Sequence, residues 1–132
     1  MNPFRVVLVE DNPADVFLLK RALAEAGIPC TLTELKDGEE AIQFLTGTAA
    51  EGQAPDLIML DLNTPKRSGC DVLEAVRQLR PDASTKFVVF TSSQSPKDKR
   101  RVEDLGAMYW QKPADLDEFM KVGQTVKALL EA

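Results

Sequence analysis

Five short apolar runs recur along this chain, each followed by a stretch with helical spacing, and this alternation constrains the fold more than any other feature. The runs are Phe4 to Val9, Thr31 to Leu35, Leu57 to Leu60, Phe87 to Phe90 and Ala107 to Trp110. Most place aliphatic residues at consecutive positions, so both faces of the strand need cover. Only Thr31 to Leu35 alternates apolar with polar, which assigns it to a position on or near a sheet edge.

The intervening stretches carry helix punctuation. Asn12 caps the first helix, Pro13 opens it and Asp15 favours its positive end. Val16, Leu19, Leu23 and Ala26 then fall at helical spacing, and Gly27 closes the helix. Asp37-Gly38 starts a second helix with Ala41, Ile42 and Leu45 inward, and residues 46–55 read as a loop. Ser68 caps a third helix with Asp71 three residues on, Val72, Leu73, Val76 and Leu79 inward, and Pro81 beyond its end. Ser95-Pro96-Lys97-Asp98 is a capping box opening a fourth helix towards Leu105. Asp115 caps a last helix through Phe119, Val122, Val126 and Leu129. Five such units predict an α/β fold, one domain over residues 1–132. Its core is a doubly wound five-stranded parallel sheet in the flavodoxin-like order 2-1-3-4-5, with helices on both faces.

Composition narrows the function. Sixteen Lys and Arg stand against 21 Asp and Glu, a net charge of −5, the wrong sign for a dedicated nucleic-acid or anionic-membrane binder. Histidine is absent, which removes His-ligated metals, Ser-His-Asp or Cys-His catalysis and any phosphohistidine on this chain. Cys30 and Cys70 make neither a disulfide framework nor a metal quartet and imply free thiols in a reducing compartment. The first apolar run stops at Glu10-Asp11, too short for a signal or membrane segment, so a cytoplasmic location is expected.

In doubly wound sheets, ligands bind beyond the carboxyl ends of the strands where the strand order reverses. Strand 1 ends in Glu10-Asp11 and strand 3 in Asp61; strand 4 ends in Thr91, and strand 5 delivers Lys112. Three carboxylates against one ammonium leave two negative charges unbalanced, which a divalent cation neutralises. The oxygen-only donor set suits Mg²⁺ or Mn²⁺ rather than zinc. Neither a P-loop nor a G-x-G-x-x-G turn is present, so phosphate chemistry would run through side chains and a metal. Each carboxylate alone also reads as an ordinary cap or loop residue; the cluster is what carries the inference.

Val9-Glu10-Asp11-Asn12, Leu60-Asp61-Leu62-Asn63-Thr64-Pro65 with Gly69, Thr91-Ser92 and Lys112-Pro113 resemble, in order and spacing, the bacterial response-regulator receiver domain of two-component signalling, over the whole chain. Val9 to Leu23 and the Thr91-Ser92-Ser93 turn look most like single-domain regulators paired with bacterial phytochrome kinases. The resemblance implies that Asp61 accepts a phosphoryl group from a partner histidine kinase, a bacteriophytochrome being one candidate. Glu10, Asp11, Asp61 and the carbonyl of Asn63 would hold Mg²⁺, and Lys112 and Thr91 would contact phosphoryl oxygens. Thr91 and Tyr109 would form the switch, with a cis Lys112–Pro113 peptide aiming Lys112 inward. Thr64 stands where many relatives have an aliphatic residue, and Ser92-Ser93 replace commoner alanines.

On this reading the chain is a phosphorylation-dependent switch, not a turnover enzyme, whose output is a changed contact with an unidentified downstream protein. A homodimer is expected through the fourth helix, fifth strand and last helix, where Met108, Tyr109, Trp110 and the apolar residues of the last helix gather. The basic run Lys97, Lys99, Arg100 and Arg101 reads first as a solvated helix face. Two other readings stay open: a haloacid-dehalogenase-like phosphotransferase, whose D-x-D-x-T motif Asp61-Leu62-Asn63-Thr64 matches imperfectly, and a receiver-like module that binds partners without phosphorylation.

Overall fold

A computed structural model describes residues 3–47, 54–79 and 84–132; Pro81 and most of the 46–55 loop lie outside the described residues. The elements are β1 (Phe4–Val9), α1 (Pro13–Glu25), β2 (Cys30–Leu35), α2 (Gly38–Thr46), β3 (Leu57–Leu60), α3 (Gly69–Leu79), β4 (Lys86–Thr91), α4 (Pro96–Asp104), β5 (Met108–Gln111), α5 (Leu116–Met120) and α6 (Val122–Glu131). The five strands form one parallel sheet in the order β2-β1-β3-β4-β5.

The consecutive aliphatics of the central strands serve two cores. Val7, Val9, Ile58, Leu60, Phe87 and Val89 face the layer of α2, α3 and α4, packing against Ala41, Leu45, Val72, Leu73, Val76 and Val102. Val6, Leu8, Leu57, Met59, Val88 and Phe90 face α1, α5 and α6, against Leu19, Leu23, Phe119, Val126 and Leu130. Full burial of each such side chain is worth about 1.5–3 kcal/mol, so neither layer is dispensable. In the edge strand β2, Thr31 and Glu34 are exposed, Leu35 is buried and the others are half-buried, so exposure follows the sequence alternation only in part.

Caps form where the sequence puts them. Asn12 Oδ1 accepts the N–H groups of Ala14 (2.9 Å) and Asp15 (3.3 Å), and Asp37 Oδ1 accepts that of Glu40 (2.8 Å). Ser68 and Asp71 form a reciprocal box at 3.1 and 3.3 Å. The box at Ser95 closes on one side only. Asp98 N–H donates to Ser95 Oγ, while the Asp98 carboxylate takes the Ser93 hydroxyl and the Ser95 N–H turns to Ser93 Oγ.

The single last helix expected from periodicity is two, α5 and α6, meeting at Lys121. Just past the break the chain approaches α1 closely: a Cβ on Gly123 would overlap the Ala22 carbonyl oxygen. The helix tightens there, Lys121 N–H bonding Glu118 O and Gln124 N–H bonding Lys121 O in three-residue steps.

Candidate functional site

The carboxyl ends of β1 and β3 and the loops after β4 and β5 enclose a cleft of about 590 Å³, lined by Glu10, Asp11, Asp15, Asp61, Asn63 and Lys112 among others. Parallel pairing of β1 with β3 sets Val9 beside Leu60, so the acids that follow each strand emerge side by side. Gly69 returns the next loop against the acid: a Cβ there would lie 2.7 Å from the Asp61 carbonyl oxygen.

Lys112 is the hub. Its N–H donates to the Thr91 carbonyl (2.7 Å), one rung past the β4–β5 pairing. Its Nζ donates to Glu10 Oε2 (2.8 Å), Asp15 Oδ2 (2.8 Å) and Asp61 Oδ2 (2.7 Å). The four side chains are only 5–20% exposed. Burial alone would depress Lys112, but the three carboxylates outweigh it and hold the ammonium well above the ordinary lysine range. Burial pushes Glu10 up, against the opposing pull of Lys112. Asp61 is also pushed up by burial, but the Asn63 N–H (3.0 Å to Oδ1) and Lys112 prevail, leaving it below its usual value and ionised.

The Lys112–Pro113 peptide is trans, not the expected cis bond. Trans is the lower-energy isomer even before proline, and Lys112 reaches the cleft without the inversion. The β4–β5 ladder fixes its backbone and three carboxylates draw in its head.

Glu10, Asp61 and Lys112 are therefore together as expected, and Asn63 lines the cleft and holds Asp61 through its backbone N–H. Asp11 lines the cleft but is exposed and outside the Lys112 network. Thr91 is fully buried, its Oγ1 accepting the Ser93 N–H (3.2 Å). Tyr109 stands apart, half-buried beside Ser95, Pro96, Lys99 and Gln111, its hydroxyl donating to the Ser93 carbonyl. Thr91 and Tyr109 thus meet through one residue, Ser93, whose own hydroxyl anchors α4 at Asp98 (2.9 Å). Thr64, in its departure from the aliphatic pattern, is buried and donates its hydroxyl to the Arg67 carbonyl, closing the loop after Asp61 on itself.

Two participants escaped sequence reasoning. Asp15 looked like a helix-start acid only; the available signal was its position one helical turn after Asp11, on a helix whose first turn borders the cleft. Ser93 has no signal in sequence, since its partners lie on three different elements.

The donor set fits a hard divalent cation in part. Glu10, Asp11, Asp61 and the Asn63 carbonyl offer oxygen only, and three carboxylates share one ammonium. Among the described residues, however, no three Asp, Glu, Cys or His side chains are gathered into a cage. A cation here would share two or three protein oxygens with water, which suits Mg²⁺.

Residues 6–123 match the response regulator receiver domain family. The chain is 35% identical over 132 residues to the response regulator Rcp1 of Synechocystis sp., across 96% of this chain and 89% of Rcp1. The crystal structure of the phosphorylated cyanobacterial phytochrome response regulator RcpA superposes with a TM-score of 0.88 at 32% identity, covering 98% of this chain and 95% of RcpA. The Mn²⁺-bound form of Rcp1 superposes with a TM-score of 0.87 at 33% identity, covering 98% and 96%.

Proposed function

The chain belongs to the response regulator receiver family, and from that premise we propose that Asp61 is its phosphoacceptor. The observation that carries this is the single ammonium of Lys112 held 2.7 Å from an ionised Asp61 at the floor of an open cleft. An Asp61 carboxylate oxygen attacks the phosphorus of a phosphohistidine on a partner kinase. The P–N bond breaks, an O–P bond forms, and the departing imidazole takes a proton from solvent. Lys112 moves its donor from Asp61 to a phosphoryl oxygen, a charge-assisted contact in a partly dry site. The Asn63 N–H keeps the remaining Asp61 oxygen oriented. Thr91, one strand away, supplies a hydroxyl to the same group.

Glu10, Asp11, Asp61 and the Asn63 carbonyl would hold Mg²⁺, and the Mn²⁺-bound form of Rcp1 supports a divalent ion in this family. When bound, the ion neutralises charge on the phosphoryl oxygens. The Asn63 side chain lacks the acid of a D-x-D-x-T phosphotransferase, so the haloacid-dehalogenase reading is set aside, and with it turnover of small phosphate esters.

Thr91 and Tyr109 act as the switch, coupled through Ser93, and the output is a changed contact with a downstream protein. Residues 1–132 form one receiver domain acting in the cytoplasm, and the phytochrome-linked relatives support a kinase of that class as donor. Exposed Met108 and half-buried Tyr109 and Trp110 on the edge strand β5 support a homodimer through α4, β5 and the α5–α6 pair. Sedimentation at micromolar concentration tests it; a monomer with and without a phosphoryl mimic excludes it. The acceptor is tested by Asp61→Asn, which is near isosteric: the variant folds but takes no stable label from a phosphorylated kinase. Undiminished labelling overturns the assignment.

A further inference from the structure

We propose that Asp15 is a positioning residue that competes with the phosphoryl group for Lys112 and so weakens and shortens the phosphorylated state. The proposal rests on the reading of Asp61 and Lys112 given above. An ammonium has three N–H donors, and Lys112 spends all three on Glu10, Asp15 and Asp61. A phosphoryl oxygen can bond Lys112 only if one carboxylate lets go. Asp61 is the one that does, because forming the acyl phosphate removes its carboxylate charge. The phosphoryl group, with nearly two negative charges, then shares one cation with two intact carboxylates.

Of those two, Glu10 is also engaged elsewhere. Its Oε1 accepts the Asn12 N–H (3.2 Å), and it belongs to the acidic pair at the end of β1. Asp15 differs: among the described residues its carboxylate bonds Lys112 alone, and the capping of α1 falls to Asn12. It sits on α1, one turn beyond the proposed metal ligands, and its side chain is 20% exposed at the cleft wall. Its effect on the reaction therefore runs through Lys112. Neutralising it leaves an oxygen able to accept the same hydrogen bond but returns the positive charge of Lys112 to the phosphoryl group.

Beryllofluoride, a phosphoryl mimic, is titrated calorimetrically at saturating Mg²⁺ into the wild type, Asp15→Asn and Asp15→Glu, with phosphoryl hydrolysis followed in parallel. Replacing a charge-assisted bond by a neutral one predicts roughly tenfold tighter binding in Asp15→Asn and a several-fold slower loss of label. Asp15→Glu, which keeps the charge, stays close to wild type. In metal-free buffer the Lys112 Nζ protons exchange faster by NMR in Asp15→Asn, since one partner is weakened. A merely structural Asp15 would lower thermal stability and never tighten binding. Unchanged or weaker beryllofluoride binding in Asp15→Asn, while the wild type binds it, overturns the competition and leaves the assignment of Asp61 intact. A wild type that takes neither beryllofluoride nor label overturns both.

Discussion

Replacing Lys112 with Met isolates the electrostatic role of the ammonium. Methionine keeps most of the apolar stem beside Phe90, whose ring centroid lies 6.0 Å from Nζ, and removes the charge together with its three N–H donors. Three carboxylates then lose their shared partner, with side-chain exposures of 5% for Glu10, 12% for Asp61 and 20% for Asp15. Stripping one member from a buried ion pair costs about 3–5 kcal/mol. The low end, about 3 kcal/mol, applies here because the cleft is open to water. For 132 residues, with an unfolding entropy of about 2.1 cal/mol/K per residue, this is a fall in Tm of roughly 10 °C. The pH dependence fixes the cause. Glu10 is raised by burial even with Lys112 present and rises further without it. A carboxyl raised in the folded state binds more protons folded than unfolded, so the variant regains stability as pH falls towards the unfolded value of about 4.3. Wild-type Asp61, lowered in the fold, keeps its contribution down to its unfolded value of about 3.9. Between pH 8 and pH 5 the Glu10 effect therefore narrows the gap between the two proteins. Urea unfolding by circular dichroism in metal-free buffer, at pH 8 and pH 5, measures it. A deficit under about 1 kcal/mol, or one of equal size at both pH values, refutes the electrostatic account.

Replacing Glu10 and Asp11 together with Ala weakens Mg²⁺ binding by at least tenfold in a calorimetric titration, since it removes two of the proposed oxygen ligands. Gly123→Ala forces a methyl into the Ala22 carbonyl and separates α6 from α1; a loss of about 1–3 kcal/mol is expected in denaturant unfolding. Lys66 adopts φ 69°, a left-handed conformation costly for a residue with a Cβ. Lys66→Gly therefore raises stability by about 0.5 kcal/mol after the added freedom of the unfolded chain is subtracted, detectable in paired urea titrations. Its surface pair with Asp37, at 3.5 Å, is too exposed to reverse the sign.

Features governed by local periodicity and by order along the chain are legible before any fold is known. Consecutive aliphatics at Val6–Val9, Leu57–Leu60 and Phe87–Phe90 can be buried only between two layers, and that demand dictates a parallel sheet with helices on both faces. Asn12, Asp37, Ser68 and Asp115 cap through neighbours two or three residues away, so their roles are legible without a fold. Parallel strands bring their carboxyl ends to one edge, and Glu10, Asp61, Thr91 and Lys112 followed from that rule. Features that depend on distances between elements are set only when the chain folds. Asp15 is an ordinary first-turn acid until α1 docks and sets it 2.8 Å from Lys112. Ser93 becomes the link between Thr91, Tyr109 and α4 only once three elements meet. The break at Lys121, beside the close approach of Gly123 to α1, has no counterpart in the periodicity, and Lys112 is aimed inward by a strand ladder and a charge cluster with a trans Lys112–Pro113 bond. Side-chain periodicity records which face of an element is buried; it carries no record of which atoms wait on the other side.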